Sequence, residues 1–252
     1  MSNDQFIDYL DADLVWRKKE ISDLFMIYNM QENEVVLKSL VLLIYAHWEG
    51  YIKKSCKLYL KYVTEAKKKI KDLTTNFHAL ALKNQIGICI DNKNSFTLAN
   101  EIKFIESYIK NEDKKFKITI NLDNDQEKTF IDTRSKLTPK VFRSLMNILG
   151  IEYKNAFKAR ENYLNVALIS SRNAIGHGSK LMEDRFITFD LNIEEVKKLK
   201  DFVFLLLDCL TDDLVEYVKN EYYLDSKAAD RLDYEEKQDR AMEHKIKSQI
   251  AI

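Results

Sequence analysis

The sequence predicts a mainly α-helical protein with one small β-hairpin inserted into its body. Three observations carry that expectation. The 252 residues include one proline and five glycines, too few for a loop-rich β fold. Apolar residues recur at three- and four-residue spacing through most of the chain. One stretch, Phe116-Lys117-Ile118-Thr119-Ile120-Asn121-Leu122, alternates with period two instead.

Taken in order, the elements follow from these patterns. Residues 4–29 read as a first helix, with Phe6, Leu10, Leu14, Ile21, Leu24 and Phe25 on its apolar stripe. A longer helix is expected over 32–71, carrying Leu37, Leu40, Ile44, Trp48, Tyr51 and Ile52. Its lysine-rich end (Lys67, Lys68, Lys69, Lys71) suits the negative end of a helix dipole, so it needs no nucleic acid to explain it. Short helices are expected over 77–85 and 98–110. The alternating run, the Asp123-Asn124-Asp125 turn signal and Thr129-Phe130-Ile131-Asp132 then form the hairpin. Thr138 as N-cap and Pro139 in the first turn open a helix that Gly150 stops. A helix over 154–175 follows, then a short extended run over 185–190. Asn192 caps a last long helix reaching about residue 223. The charged tail over 226–252 is weakly amphipathic and either packs on a partner or frays. Residues 1–225 read as one domain, with about 85–137 as an inserted irregular segment.

Composition narrows the function classes. Lys+Arg and Asp+Glu cancel at 40 each, so any nucleic-acid contact must come from a local basic surface and not a uniformly cationic body. A hydrophobic fraction of 46% is ample for a core. The three cysteines, Cys56, Cys89 and Cys209, are far apart and odd in number, which supports neither a disulfide framework nor a zinc ribbon. Met1-Ser2-Asn3-Asp4 is no secretory leader, and apolar runs such as 40–46 are too short to span a bilayer. The expected location is the cytoplasm, without membrane association. No HExxH, P-loop or Gly-rich dinucleotide fingerprint is present, and neither a cofactor nor a metal is expected.

One run concentrates chemistry: Ser171-Arg172-Asn173-Ala174-Ile175-Gly176-His177-Gly178. On a helix, Asn173 and His177 share one face, and the long side chain of Arg172 can swing toward it. A permanent cation beside a group that titrates near neutrality is what phosphodiester cleavage without a metal requires. The cation balances charge growing on the phosphate and the imidazole moves protons. The bland alternative is a helix end with Arg172 on a solvated face.

The run resembles the signature of HEPN-domain ribonucleases: arginine, a polar residue, spacers, then histidine. The segment Ala46-His47-Trp48-Glu49-Gly50-Tyr51 is similar to an early-helix motif of HEPN-like nucleases from prokaryotic defence and toxin–antitoxin loci, including the RiboL-PSP-HEPN group. The resemblance spans most of residues 1–225. It implies an antiparallel helical bundle that dimerises so that two arginine–histidine runs meet in one cleft. It implies an endoribonuclease acting by 2′-hydroxyl attack, with Arg172, Asn173 and His177 catalytic and RNA as substrate. His47 and Glu49 are expected in supporting roles, and Trp48 in the core. A homodimer and a neutralising antitoxin or defence partner are implied, with service as a toxin or anti-phage effector. The alternative is a non-catalytic HEPN-like subunit of a restriction or defence complex.

Overall fold

A computed structural model describes residues 1–91, 98–122, 124, 129–134, 136–178 and 189–250. Local chemistry starts and stops the main helices. Helix α1 (Asn3–Gln31) opens on a reciprocal capping box between Ser2 and Gln5 and ends where Glu32 turns left-handed. Helix α2 (Glu34–Glu65) is capped by Asn33. A 3₁₀ turn (Ile70–Asp72) leads to α3 (Thr75–Ala81), α4 (Lys83–Asp91) and α5 (Ala99–Asn111). Thr138 and Pro139 open α6 (Pro139–Leu149), and Gly150, at φ +72°, closes it as the sequence predicts. Asn192 caps α10 (Ile193–Lys219), and α11 (Ala228–Gln249) completes the chain.

Between α6 and α10 the expected single helix is divided. It becomes α7 (Asn155–Lys158), α8 (Glu161–Leu164), a π-helical turn (Asn165–Ser170) and α9 (Ser171–Gly176). Dihedrals stay right-handed helical on both sides of the π turn, at Leu164 and Ser171, so residues 161–176 run as one continuous helix. Ser171, fully buried, donates its hydroxyl to the Val166 carbonyl five residues back, at 3.3 Å. The wider turn inserts an extra residue and rotates everything beyond it by about 100° relative to an unbroken α-helix.

Helix α2 is the centre of the molecule. Helices α1, α10 and α9 pack around it, and α6 meets it near its middle. It has the length and apolarity of a membrane-spanning segment, but Leu40, Ile44, Trp48 and Ile52 are wholly enclosed by the other helices. Trp48 stacks edge-on against Phe142 of α6, with ring centres 5.1 Å apart.

The β-hairpin is not seen among the described residues. Among the described residues there is no strand, and 116–122 runs as extended chain along the bundle. Its hydrogen bonds go elsewhere. The Phe116 N–H reaches the Lys68 carbonyl at 2.8 Å, and the buried Lys57 ammonium takes the Asn121 and Asn124 carbonyls. Phe116 lies under Phe77, while Ile118, Ile120 and Leu122 half-bury against the core. Period two records an extended chain with one face buried, and it names no ladder partner. The run expected over 185–190 falls outside the described residues except for its last two. Helix α2 also ends short of the lysines. Lys68 pairs with Glu221, and Lys69 and Lys71 share Asp113.

The tail docks on its own chain. Asp239 accepts from the Ala156 N–H at 3.0 Å and so caps α7 from outside, and Glu243 takes Arg160 in a two-pronged grip at 2.6 and 3.1 Å. Met242 and Ile246 are buried beneath. Next to this contact the Lys154 ammonium pairs with Asp213, both almost fully enclosed, and Tyr234 of α11 donates to the same carboxylate at 3.0 Å.

Candidate active site

The site forms where α9 crosses α2. Tyr45 and Glu49 lie one turn apart on α2 and share the face toward α9. Tyr45 is 3% exposed. Its hydroxyl accepts the Leu137 N–H at 3.0 Å, and the Glu49 carboxylate lies near enough to act on it electrostatically. Trp48 donates Nε1 to the carbonyl of the same Leu137 at 3.4 Å, so this residue is held through both of its backbone groups just ahead of α6. Burial pushes the Tyr45 phenol up to about 12, and Glu49 adds to the rise while Leu137 and Arg172 oppose it.

The Arg172 guanidinium sits on the face of the Tyr45 ring, 4.7 Å from its centre. One of its terminal nitrogens donates to Asn173 Oδ1 at 3.1 Å. Among the described residues no carboxylate pairs with it. The planar fork is therefore seated on an aromatic plate with most of its donors uncommitted. His177 is the last residue of the helical path, and its N–H closes the final turn on the Asn173 carbonyl at 2.9 Å. Gly178 follows at φ +72°, a conformation suited to glycine, and takes the chain off the axis. The imidazole is exposed, one turn beyond Asn173. Within one chain, the side chains of Arg172 and His177 make no hydrogen bond or ring contact with each other.

His47 is placed elsewhere. Two helical residues separate it from both Tyr45 and Glu49, a rotation of about 200°. It is buried against α1 and meets Trp16 edge-on, with ring centres 5.1 Å apart. Its Nδ1 is 3.3 Å from Arg17, and Glu20 lies 2.7 Å from Nε2 but outside hydrogen-bond geometry. Arg17 is held in turn by the buried Asp13, which also takes Lys54 at 2.7 Å and the Trp16 indole at 3.1 Å. Gly50 leaves room for this cluster, since a Cβ there would come within 2.6 Å of Arg17. The two supporting residues are thus divided: Glu49 faces Arg172 through Tyr45, and His47 builds the α1–α2 contact.

This arrangement has a pH signature. Burial, then the Arg17 charge, lowers the His47 pKa despite Glu20. The unfolded chain therefore binds that proton more readily, and stability should fall as pH drops through about 6.5, the ordinary histidine value. Urea denaturation at pH 7.5 and 5.5 should show the wild type weaker at the lower pH, with the difference reduced in His47→Gln. An identical slope in both proteins would remove the assignment.

Tyr45 is the site residue that sequence reasoning missed. The available signal was its position four residues before Glu49 on a helix that also carries Trp48. Among the described residues, no group of three or more His, Cys, Asp or Glu side chains is placed to hold a metal ion.

Comparison with known families places residues 6–223 in a match to the MAE_28990-like HEPN family. No curated protein and no solved structure gives a significant match. The matched span runs from α1 through α10, takes in Tyr45, Glu49, Arg172, Asn173 and His177, and ends ahead of α11. HEPN domains are often ribonucleases, which points to a nuclease-like or nucleotide-binding role. By this match over most of its length, the chain belongs to the MAE_28990-like HEPN family.

Proposed function

We propose that the protein is a metal-independent endoribonuclease, active as a homodimer and deployed as a toxin or anti-phage effector under the restraint of a partner protein. The observation that carries this reading is the seating of Arg172. Its guanidinium is oriented on a buried tyrosine ring and unpaired with any described carboxylate, while His177 stands open to solvent about a turn and a half further along. In the reaction, an RNA 2′-hydroxyl attacks the adjacent phosphorus and the bond to the 5′-oxygen breaks. One His177 takes the proton of the attacking hydroxyl. The protonated His177 of a second copy returns one to the departing oxygen, leaving a 2′,3′-cyclic phosphate and a 5′-hydroxyl. Arg172 grips the two non-bridging oxygens as charge grows on them. Asn173 steadies the guanidinium. Dependence on the 2′-hydroxyl restricts the substrate to RNA.

The test is incubation of the purified protein with a mixed RNA pool in EDTA. Cleavage with cyclic-phosphate ends is expected from the wild type and not from His177→Ala. Failure of the wild type to cut, or equal cutting by the variant, rejects the reading.

The separation of Arg172 from His177 within one chain favours a second reading, a non-catalytic subunit of a defence complex. Expression in a bacterial host separates the two. Growth arrest by wild type but not by Arg172→Ala is expected of the nuclease, and equal tolerance of both favours the subunit.

A further inference from the structure

Helices α4 and α5 differ from the rest of the bundle in carrying no buried residue. Ile102, Ile105 and Ile109 on α5, with Leu98 just ahead of it, are 54, 52, 61 and 60% exposed. Large aliphatic side chains gathered in this way mark a contact surface. Their spacing is four, three, four, the knob spacing of a coiled-coil seam. It reads the same from either end, so the stripe matches an antiparallel copy of itself about a two-fold axis.

The flanking charges agree. On the outer side of the stripe stand Lys103, Glu106 and Lys110. An antiparallel copy brings each Lys103 beside the second copy's Glu106, twice over by symmetry. A parallel copy would set Glu101 against Glu106, like against like. Alongside the stripe, α4 and α5 enclose an apolar groove of about 400 Å³ walled by Ile86, Cys89, Ile90, Phe104 and Ile105. Aliphatic knobs from a second α5 suit such holes.

We propose that the α5 stripe is a two-fold interface that pairs α5 with the antiparallel α5 of a second copy of this chain. It lies on different elements from Arg172 and His177. Added to a dimer formed around that site, it builds a closed tetramer or a longer assembly.

Sedimentation of the full-length protein tests this. Ile102→Lys and Ile109→Lys alter exposed positions that the core does not use, and each should halve the assembled mass with the helical spectrum unchanged. Lys103→Glu and Glu106→Lys should each weaken association by about tenfold, because the axis repeats the change. The double reversal Lys103→Glu/Glu106→Lys should restore it. A wild type that stays single-copy at every concentration, an unchanged mass in the isoleucine variants, or a double reversal without recovery overturns the proposal. RNA cleavage measured on the same variants reads the nuclease site separately.

Discussion

Arg172→Ala is expected to slow RNA cleavage by about 10²- to 10⁴-fold while leaving the fold intact. The guanidinium is only half-buried, and its contacts are a neutral ring and a neighbouring amide. Removing it strands no buried charge, so thermal unfolding should shift by no more than a few degrees. The loss falls on the transition state, where two phosphate oxygens gain charge and a planar fork can meet both. Arg172→Lys should recover little, because an ammonium is a point charge that neither stacks on Tyr45 nor bonds in two places. Tyr45→Phe is the informative companion. It keeps the ring face under Arg172 but leaves the Leu137 N–H without its acceptor. It should therefore cost about 1–3 kcal/mol of stability and a smaller part of the rate. Single-turnover cleavage in EDTA, with unfolding curves beside it, measures all three. Arg172→Ala cleaving at the wild-type rate would remove the guanidinium from the chemistry.

Lys154→Ala is expected to cost about 3–5 kcal/mol of folding free energy, a large share of the roughly 5–15 kcal/mol available to a domain. The pair it breaks is enclosed, with Lys154 2% and Asp213 3% exposed. Burial is the largest influence and disfavours the ammonium, but the charge and hydrogen bond of Asp213, with Cys209 and Glu235, together outweigh it and the Lys154 pKa is raised. Without the lysine, Asp213 keeps, among the described residues, only the Tyr234 hydroxyl at 3.0 Å and the weak Cys209 thiol contact at 3.9 Å. The damage should spread, because Lys154 immediately precedes α7 and the chain that leads to Arg172. Lys154→Met combined with Asp213→Leu should lie much closer to wild type, since exchanging both charges for apolar volume leaves no buried charge unpaired and only the half-buried Tyr234 hydroxyl without its acceptor. Denaturant unfolding compares the single and double variants. A double variant as unstable as Lys154→Ala would show that the pair matters through packing and not through charge.

Much of the helical framework was legible because its signals are local. Thr138 with Pro139, Gly150 and Asn192 each act on backbone groups within a few residues, and each marks a helix end in the structure; Ser2 with Gln5 and Asn33 do the same, although the expected ranges 4–29 and 32–71 passed over them. The enclosed position of Trp48 follows from the stripe it shares with Ile44 and Ile52. The contrast between His47 and Glu49 was also readable, since two residues along a helix turn a side chain nearly to the opposite side. The alternating run misled because half-burial and strand pairing share one pattern. The charged tail read as a segment that either packs on a partner or frays, because the groups its carboxylates meet, the Ala156 N–H and Arg160, lie about 83 residues away in sequence.

By itself the sequence determined where helices begin, which stripes turn inward, and that an arginine, an amide and an imidazole end one of them. These depend on backbone hydrogen bonds and side-chain periodicity within a turn or two. Tertiary structure alone decided where those groups point. The π turn over Asn165–Ser170 rotates α9, and the Tyr45 ring on α2 receives Arg172 there. Neither can be read locally, because a widened turn is held in place by the packing around it, and a ring more than 120 residues away becomes a neighbour only when the core closes.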